Sequence, residues 1–88
     1  MRVVFSEKAW TQYRHWIDAD SKVLERLNRL IEECRRHPFT GPGKPEPLKG
    51  ELKGFWSRRL TDEDRLVYRV SGKARDQQLE IVQCRFHY

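Results

Sequence analysis

The sequence predicts an α+β fold: an N-terminal strand, then two helices packed on one face of a small, mainly antiparallel twisted sheet. Three observations predict it. Apolar side chains recur at helical spacing over two stretches ahead of Pro38. All four prolines and three of the five glycines fall within residues 38–50, so no helix continues through that segment. Three runs rich in β-branched and aromatic residues fill the remainder of the chain.

Taken in order, Arg2–Phe5 (RVVF) reads as a first strand. Ser6 precedes Glu7 and Lys8 and can cap a helix by accepting a backbone N–H. Trp10, Tyr13, Trp16 and Ile17 follow at helical spacing and are expected in the core. Asp18–Ser21 interrupts the pattern and offers a second cap. Val23, Leu24, Leu27, Leu30, Ile31 and Cys34 then form one apolar stripe. That helix ends at Arg35, Arg36 and His37, where basic residues suit the terminal dipole and Pro38 blocks continuation.

Residues 38–50 (PFTGPGKPEPLKG) are expected as an ordered loop, neither helix nor central strand. A long irregular loop in a compact domain is often functional. Phe55–Leu60 and Arg65–Val70 read as strands joined by a turn at Thr61–Asp64. A polar loop, Ser71–Gln77, leads to a last strand over Gln78–Tyr88.

The 88 residues suit one domain, residues 1–88. Hydrophobic residues make up 38% and aromatics 11%, which argues against disorder. The formal net charge is +5, suiting an anionic partner such as nucleic acid, the ribosome or an acidic protein. Cys34 and Cys84 are far apart in sequence and each sits in an apolar pattern, so both are expected as reduced core residues. The opening MRVVFSEKAW has no long apolar run, which excludes a signal peptide or membrane span there, and a cytoplasmic protein is expected.

Alternation along strands sorts side chains by sheet face. Trp56, Leu60, Leu66, Tyr68, Val70, Val82, Cys84 and Phe86 are expected against the helices. Arg59, Arg65, Arg69, Arg85 and His87 then share the opposite face, an arginine concentration without matching acids. A solvated charged face is the plain alternative, and a bulge would shift any one strand's parity.

Such a face suits RNA chemistry. RNA carries its own nucleophile, the 2′-OH, which DNA lacks. Cleavage needs a base near that hydroxyl, an acid near the leaving 5′-oxygen and a cation for the phosphorane charge. Among the histidines, His15 and His37 sit in helical contexts. His87 lies on the arginine side, and an ordinary imidazole titrates where an acid is useful. Glu46 is held extended between Pro45 and Pro47, and the flanking Lys44 and Lys49 can bind phosphate. Read by itself, Glu46 is more simply a solvated loop glutamate. No metal-ligand spacing is present, the Gly41–Lys44 run lacks P-loop spacing, and no cofactor is expected.

At GKPEPLKG (residues 43–50), GFWSRRLTDEDRLVYRV (residues 54–70) and CRFHY (residues 84–88) the chain resembles the YoeB-type toxins of the RelE superfamily of bacterial toxin–antitoxin systems. Ser6, Glu7, Trp10, Tyr13 and Trp16, and the RRxPF run at Arg35–Phe39, extend the resemblance over essentially the whole chain. The resemblance implies a RelE-like fold and a metal-independent mRNA interferase that cuts mRNA in the ribosomal decoding site and inhibits translation. It implies Glu46 as general base, Arg65 as phosphate-stabilising arginine, His87 as general acid and Tyr88 as a further residue of that site. Lys49 and Arg59 fall on basic residues that bind the phosphate backbone, and Lys44 and Arg85 join them as RNA-binding candidates. The implied products are a 2′,3′-cyclic phosphate and a 5′-hydroxyl. The implied partners are a cognate YefM/Phd-like antitoxin, the ribosome, operator DNA through the antitoxin complex, and a second copy of the chain. Two departures stand out: Pro42, where relatives can carry a basic residue, and a Ser71–Gln77 loop longer than expected, which bears on a partner surface more than on the chemistry.

A non-catalytic RNA- or DNA-binding module within an antitoxin complex is the competing reading, and it predicts salt-sensitive binding without cleavage. A third is a folded partner whose basic face docks an acidic disordered segment.

Overall fold

The computed structural model describes the whole chain, Met1–Tyr88. Strand β1 (Arg2–Phe5) leads into helices α1 (Glu7–Ala19) and α2 (Ser21–Arg36). Strands β2 (Glu46–Pro47), β3 (Trp56–Arg59), β4 (Arg65–Ser71) and β5 (Gln78–Gln83) follow. They form one five-stranded sheet in the order β1-β5-β4-β3-β2. Only β1 and β5 run parallel, and the other pairs are antiparallel. The helices lie on one face, as expected. The one strand not foreseen is β2, two residues of the proline-rich loop. It sits at the sheet edge, where proline's missing N–H breaks no ladder bond.

Local chemistry sets the helix limits. Ser6 Oγ accepts the Ala9 N–H at 3.1 Å to start α1. Asp20 ends α1 with its backbone N–H on the Trp16 carbonyl and starts α2 with its carboxylate on the Lys22 and Val23 N–H groups. The α2 stripe packs as expected, with Leu27, Leu30, Ile31 and Cys34 buried and Val23 and Leu24 flanking them.

Helix α1 corrects the expected core. Its inward face carries Ala9, Gln12 and Trp16, whereas Trp10 is 48% and Ile17 52% exposed. Positions 10 and 17 lie about 100° round the helix from 9 and 16, so the inward face is centred one residue away from the aromatic pattern. Trp10 instead stacks on Tyr13 with ring centres 5.5 Å apart, and Phe5 meets both rings edge-on. Gln12 turns inward because its amide oxygen accepts the Cys84 N–H at 2.9 Å.

The last strand needs the larger correction. It ends at Gln83, and Leu79 and Ile81 are its inward residues. A register shift pairs Gln83 with Val67 but Ile81 with Tyr68, so Val82 is an extra residue and parity reverses there. Cys84 is therefore buried as expected, while Val82 is only half-buried and Phe86 is 54% exposed. Residues 84–88 form a tail, not strand.

Candidate active site

The proline-rich loop is held by one buried cation. Arg58 shares a sheet face with Trp56, Leu66 and Tyr68 and is fully buried, though no carboxylate pairs with it. Its Nε donates to the Tyr68 hydroxyl at 3.1 Å. Its Nη atoms donate to the carbonyls of Pro42 at 3.1 Å, Thr40 at 2.9 Å and His37. Tyr68 Oη in turn donates to the Pro38 carbonyl at 2.6 Å. Burial pushes the Tyr68 hydroxyl up to about 12. Gly43 crosses this layer closely: a Cβ there would lie 3.1 Å from Arg58 Cβ and 3.2 Å from Leu30 Cδ2, at a φ of +85°. Its carbonyl accepts the Arg59 N–H at 2.7 Å, which starts the β2–β3 pairing.

That pairing sets Glu46 opposite Ser57. Ser57 pairs with Val67, and Val67 with Gln83, so the four residues form one row across the sheet face away from the helices. Arg59 pairs with Arg65 in the next row. Arg65 Nη1 donates to the carbonyls of Thr61 at 2.8 Å, Asp64 at 3.0 Å and Asp62 at 3.3 Å, so the β3–β4 turn orients the guanidinium.

The tail returns over this face. Cys84 is anchored to α1 by Gln12 and by the Trp16 indole N–H, which donates to the Cys84 carbonyl at 2.8 Å. Tyr88 Oη lies 3.1 Å from Ser57 Oγ, and the His87 ring stacks on Tyr88 with centres 4.9 Å apart. A cavity of about 240 Å³ results, lined by Lys44, Glu46, Ser57, Arg59, Arg65, His87 and Tyr88. None of its cations is in an ion pair, and neither is Glu46. Three cations with free charge around one carboxylate and one imidazole suit a bound phosphodiester. No group of three His, Cys, Asp or Glu side chains is placed to hold a metal.

Three candidates lie elsewhere. Lys49 and Arg85 do not line the cavity, and Arg85 covers the Phe86 ring at 4.4 Å. Arg69, expected without an acid, pairs with Glu80 at 2.8 Å, which holds that carboxyl below its usual range. Ser57 was legible by parity beside Arg59 but carried no chemical signal. A second surface depression, along α1, is lined by Thr11, Arg14, His15, Ile17 and Asp18.

Residues 5–88 match the family model for the YoeB-like toxin of bacterial type II toxin–antitoxin systems. The toxin YoeB of Streptomyces coelicolor is 54% identical over 88 residues, covering both chains in full. Among solved structures, the YoeB/ParE toxin from Agrobacterium tumefaciens superposes with a TM-score of 0.95 at 51% identity, over the whole of both chains. The toxin in a heterotetrameric YoeB–YefM complex from Staphylococcus aureus superposes with a TM-score of 0.87 at 36% identity, covering 100% of this chain and 98% of that one.

Proposed function

The chain belongs to the YoeB-like toxins of bacterial type II toxin–antitoxin systems, and from that premise we propose that it is a metal-independent endoribonuclease acting on mRNA held by the ribosome. The observation that carries the reading is the cavity itself, where Glu46, Arg65 and His87 surround a space that also holds the free cations of Lys44 and Arg59.

In the proposed reaction Glu46 takes the proton of a ribose 2′-OH, whose oxygen attacks the adjacent phosphorus. Arg65, Arg59 and Lys44 balance the charge that grows on the phosphorane oxygens. His87, as imidazolium, gives its proton to the departing 5′-oxygen. The P–O5′ bond breaks, leaving a 2′,3′-cyclic phosphate and a 5′-hydroxyl. Tyr88, held by Ser57, borders the leaving group. Lys49 and Arg85, outside the cavity, contact more distant phosphates. The cavity is small, about 240 Å³, and only Lys44, Arg59 and Arg65 bring fixed positive charge to it, so the ribosome supplies most of the substrate positioning. By analogy with the S. aureus complex, a YefM-like antitoxin silences the enzyme.

Purified protein added to mRNA-loaded ribosomes should cut within the decoding site and leave 5′-hydroxyl ends. Intact mRNA with the wild type, or unchanged cutting by His87→Gln, would overturn the proposal.

A further inference from the structure

The proposed acid, His87, sits on a five-residue tail beyond the last strand, and something must hold that tail in place. The turn between β3 and β4 does so. Asp64, half-buried, uses both carboxylate oxygens: Oδ2 accepts from the Thr61 hydroxyl at 2.7 Å and Oδ1 from the Phe86 backbone N–H at 2.6 Å. The next residue completes the grip, because the Arg65 N–H donates to the Phe86 carbonyl at 3.0 Å. Gln83 Nε2 donates to the same carbonyl at 3.1 Å.

Phe86 needs such a grip. Its φ is +67°, a left-handed conformation that is strained for a residue with a Cβ. Its ring is 54% exposed, so little burial offsets the strain. A backbone N–H given to a carboxylate forms a charge-assisted bond, stronger than one to a neutral oxygen. The left-handed residue reverses the tail, so that His87 and Tyr88 return to the cavity rather than continuing away from β5.

We propose that Asp64 is a positioning residue for His87. Its carboxylate clamps the reversed tail to the same turn whose carbonyls orient Arg65, and so sets acid and cation relative to each other. This rests on the function proposed above, because it gives His87 a reaction to serve. It also makes a claim independent of that reading, that the charge of Asp64 holds the Phe86 N–H.

The test compares wild type, Asp64→Asn and Asp64→Ala by NMR and by cleavage of mRNA on ribosomes. In wild type the Phe86 amide proton should resonate far downfield and exchange slowly. In Asp64→Ala it should move upfield and exchange fast, while the Leu79 and Ile81 amides stay protected and show that the sheet is intact. Cleavage should lose roughly 10–100-fold in kcat with KM within about twofold, as expected for a misplaced acid rather than lost binding. Asp64→Asn keeps an acceptor oxygen without the charge and should fall between the two, a graded rescue that a merely structural turn residue would not give. Wild-type kcat in Asp64→Ala, or a Phe86 amide unmoved by it, overturns the clamp. Should the wild type cut nothing, the proposed function fails and the Phe86 amide still decides the clamp.

Discussion

Ser57 Oγ and Tyr88 Oη lie 3.1 Å apart, although 31 residues separate them in the chain. The bond joins the middle of the β2–β3–β4 face to the last residue and closes one side of the cavity. Either hydroxyl can be the donor, so removing either should have the same consequence. Ser57→Ala and Tyr88→Phe should each loosen the tail, and the double variant should be no worse than the poorer single one. A double-mutant cycle on cleavage rate should show a coupling of about 0.5–1.5 kcal/mol. Additive effects would mean that the two residues act separately.

The cations divide by their partners. Lys44 and Arg59 line the cavity unpaired, whereas Arg69 is already bonded to Glu80. Releasing counterions from RNA requires a charge free to meet phosphate. Lys44→Ala or Arg59→Ala should reduce the salt slope of RNA binding by about 0.7, the single-strand value per contact. Arg69→Ala should leave that slope unchanged. Fluorescence anisotropy with a short single-stranded RNA between 50 and about 200 mM salt measures both. An equal loss for Arg69 and Arg59 would show that the whole face binds rather than the cavity.

Arg58 should be the least replaceable residue of the loop. A buried guanidinium bonded to a tyrosine and three carbonyls is satisfied, and removing it strips the loop carbonyls and the Tyr68 hydroxyl of the donor that ties the loop to the sheet. Arg58→Met should cost at least about 3 kcal/mol, roughly 1 kcal/mol for each of its bonds to the loop carbonyls, which for a domain of this size lowers Tm by at least roughly 12 °C. Arg58→Lys should rescue little, since an ammonium cannot reproduce the planar fork. A thermal melt in which Arg58→Lys matches wild type would rule out this account of the loop.

The helices, the core stripe of α2 and the position of Arg65 were legible in the sequence because each depends on spacing within one element. Glu46 was not. Its place depends on the Glu46–Ser57 pairing, a contact between segments that no periodicity reports. The last strand was misread because one extra residue, Val82, reverses alternation, and a bulge leaves no mark in a run such as EIVQCRF. Trp10 and Ile17 misled for another reason. Aromatic spacing marks a helix face, but it does not say whether that face meets the sheet or a cluster on the surface, as Phe5, Trp10 and Tyr13 form here.

Alkaline pH should unfold the protein. Burial pushes the Cys34 thiol from 9.0 up to about 11 and the Cys84 thiol from 9.0 up to about 12, the latter helped by the charge of Asp64. A raised pKa means that the folded state holds its proton more tightly than the unfolded chain. The associated stability is fully present below pH 9 and is lost as pH climbs toward the folded values. Each thiol contributes a slope of about 1.4 kcal/mol per pH unit in that window. Tyr68, raised from 10.0 to about 12, adds to the slope above pH 10. With a total stability on the order of 5–15 kcal/mol, the fold should weaken sharply between pH 10 and 11. Urea titrations at pH 8, 9, 10 and 10.5 measure this directly. Cys34→Ala should be less stable at pH 8, because it leaves a small cavity, yet should lose stability more gradually above pH 9. A wild type whose urea midpoint stays level to pH 10.5 would show that the two thiols and Tyr68 titrate alike in the folded and unfolded chain.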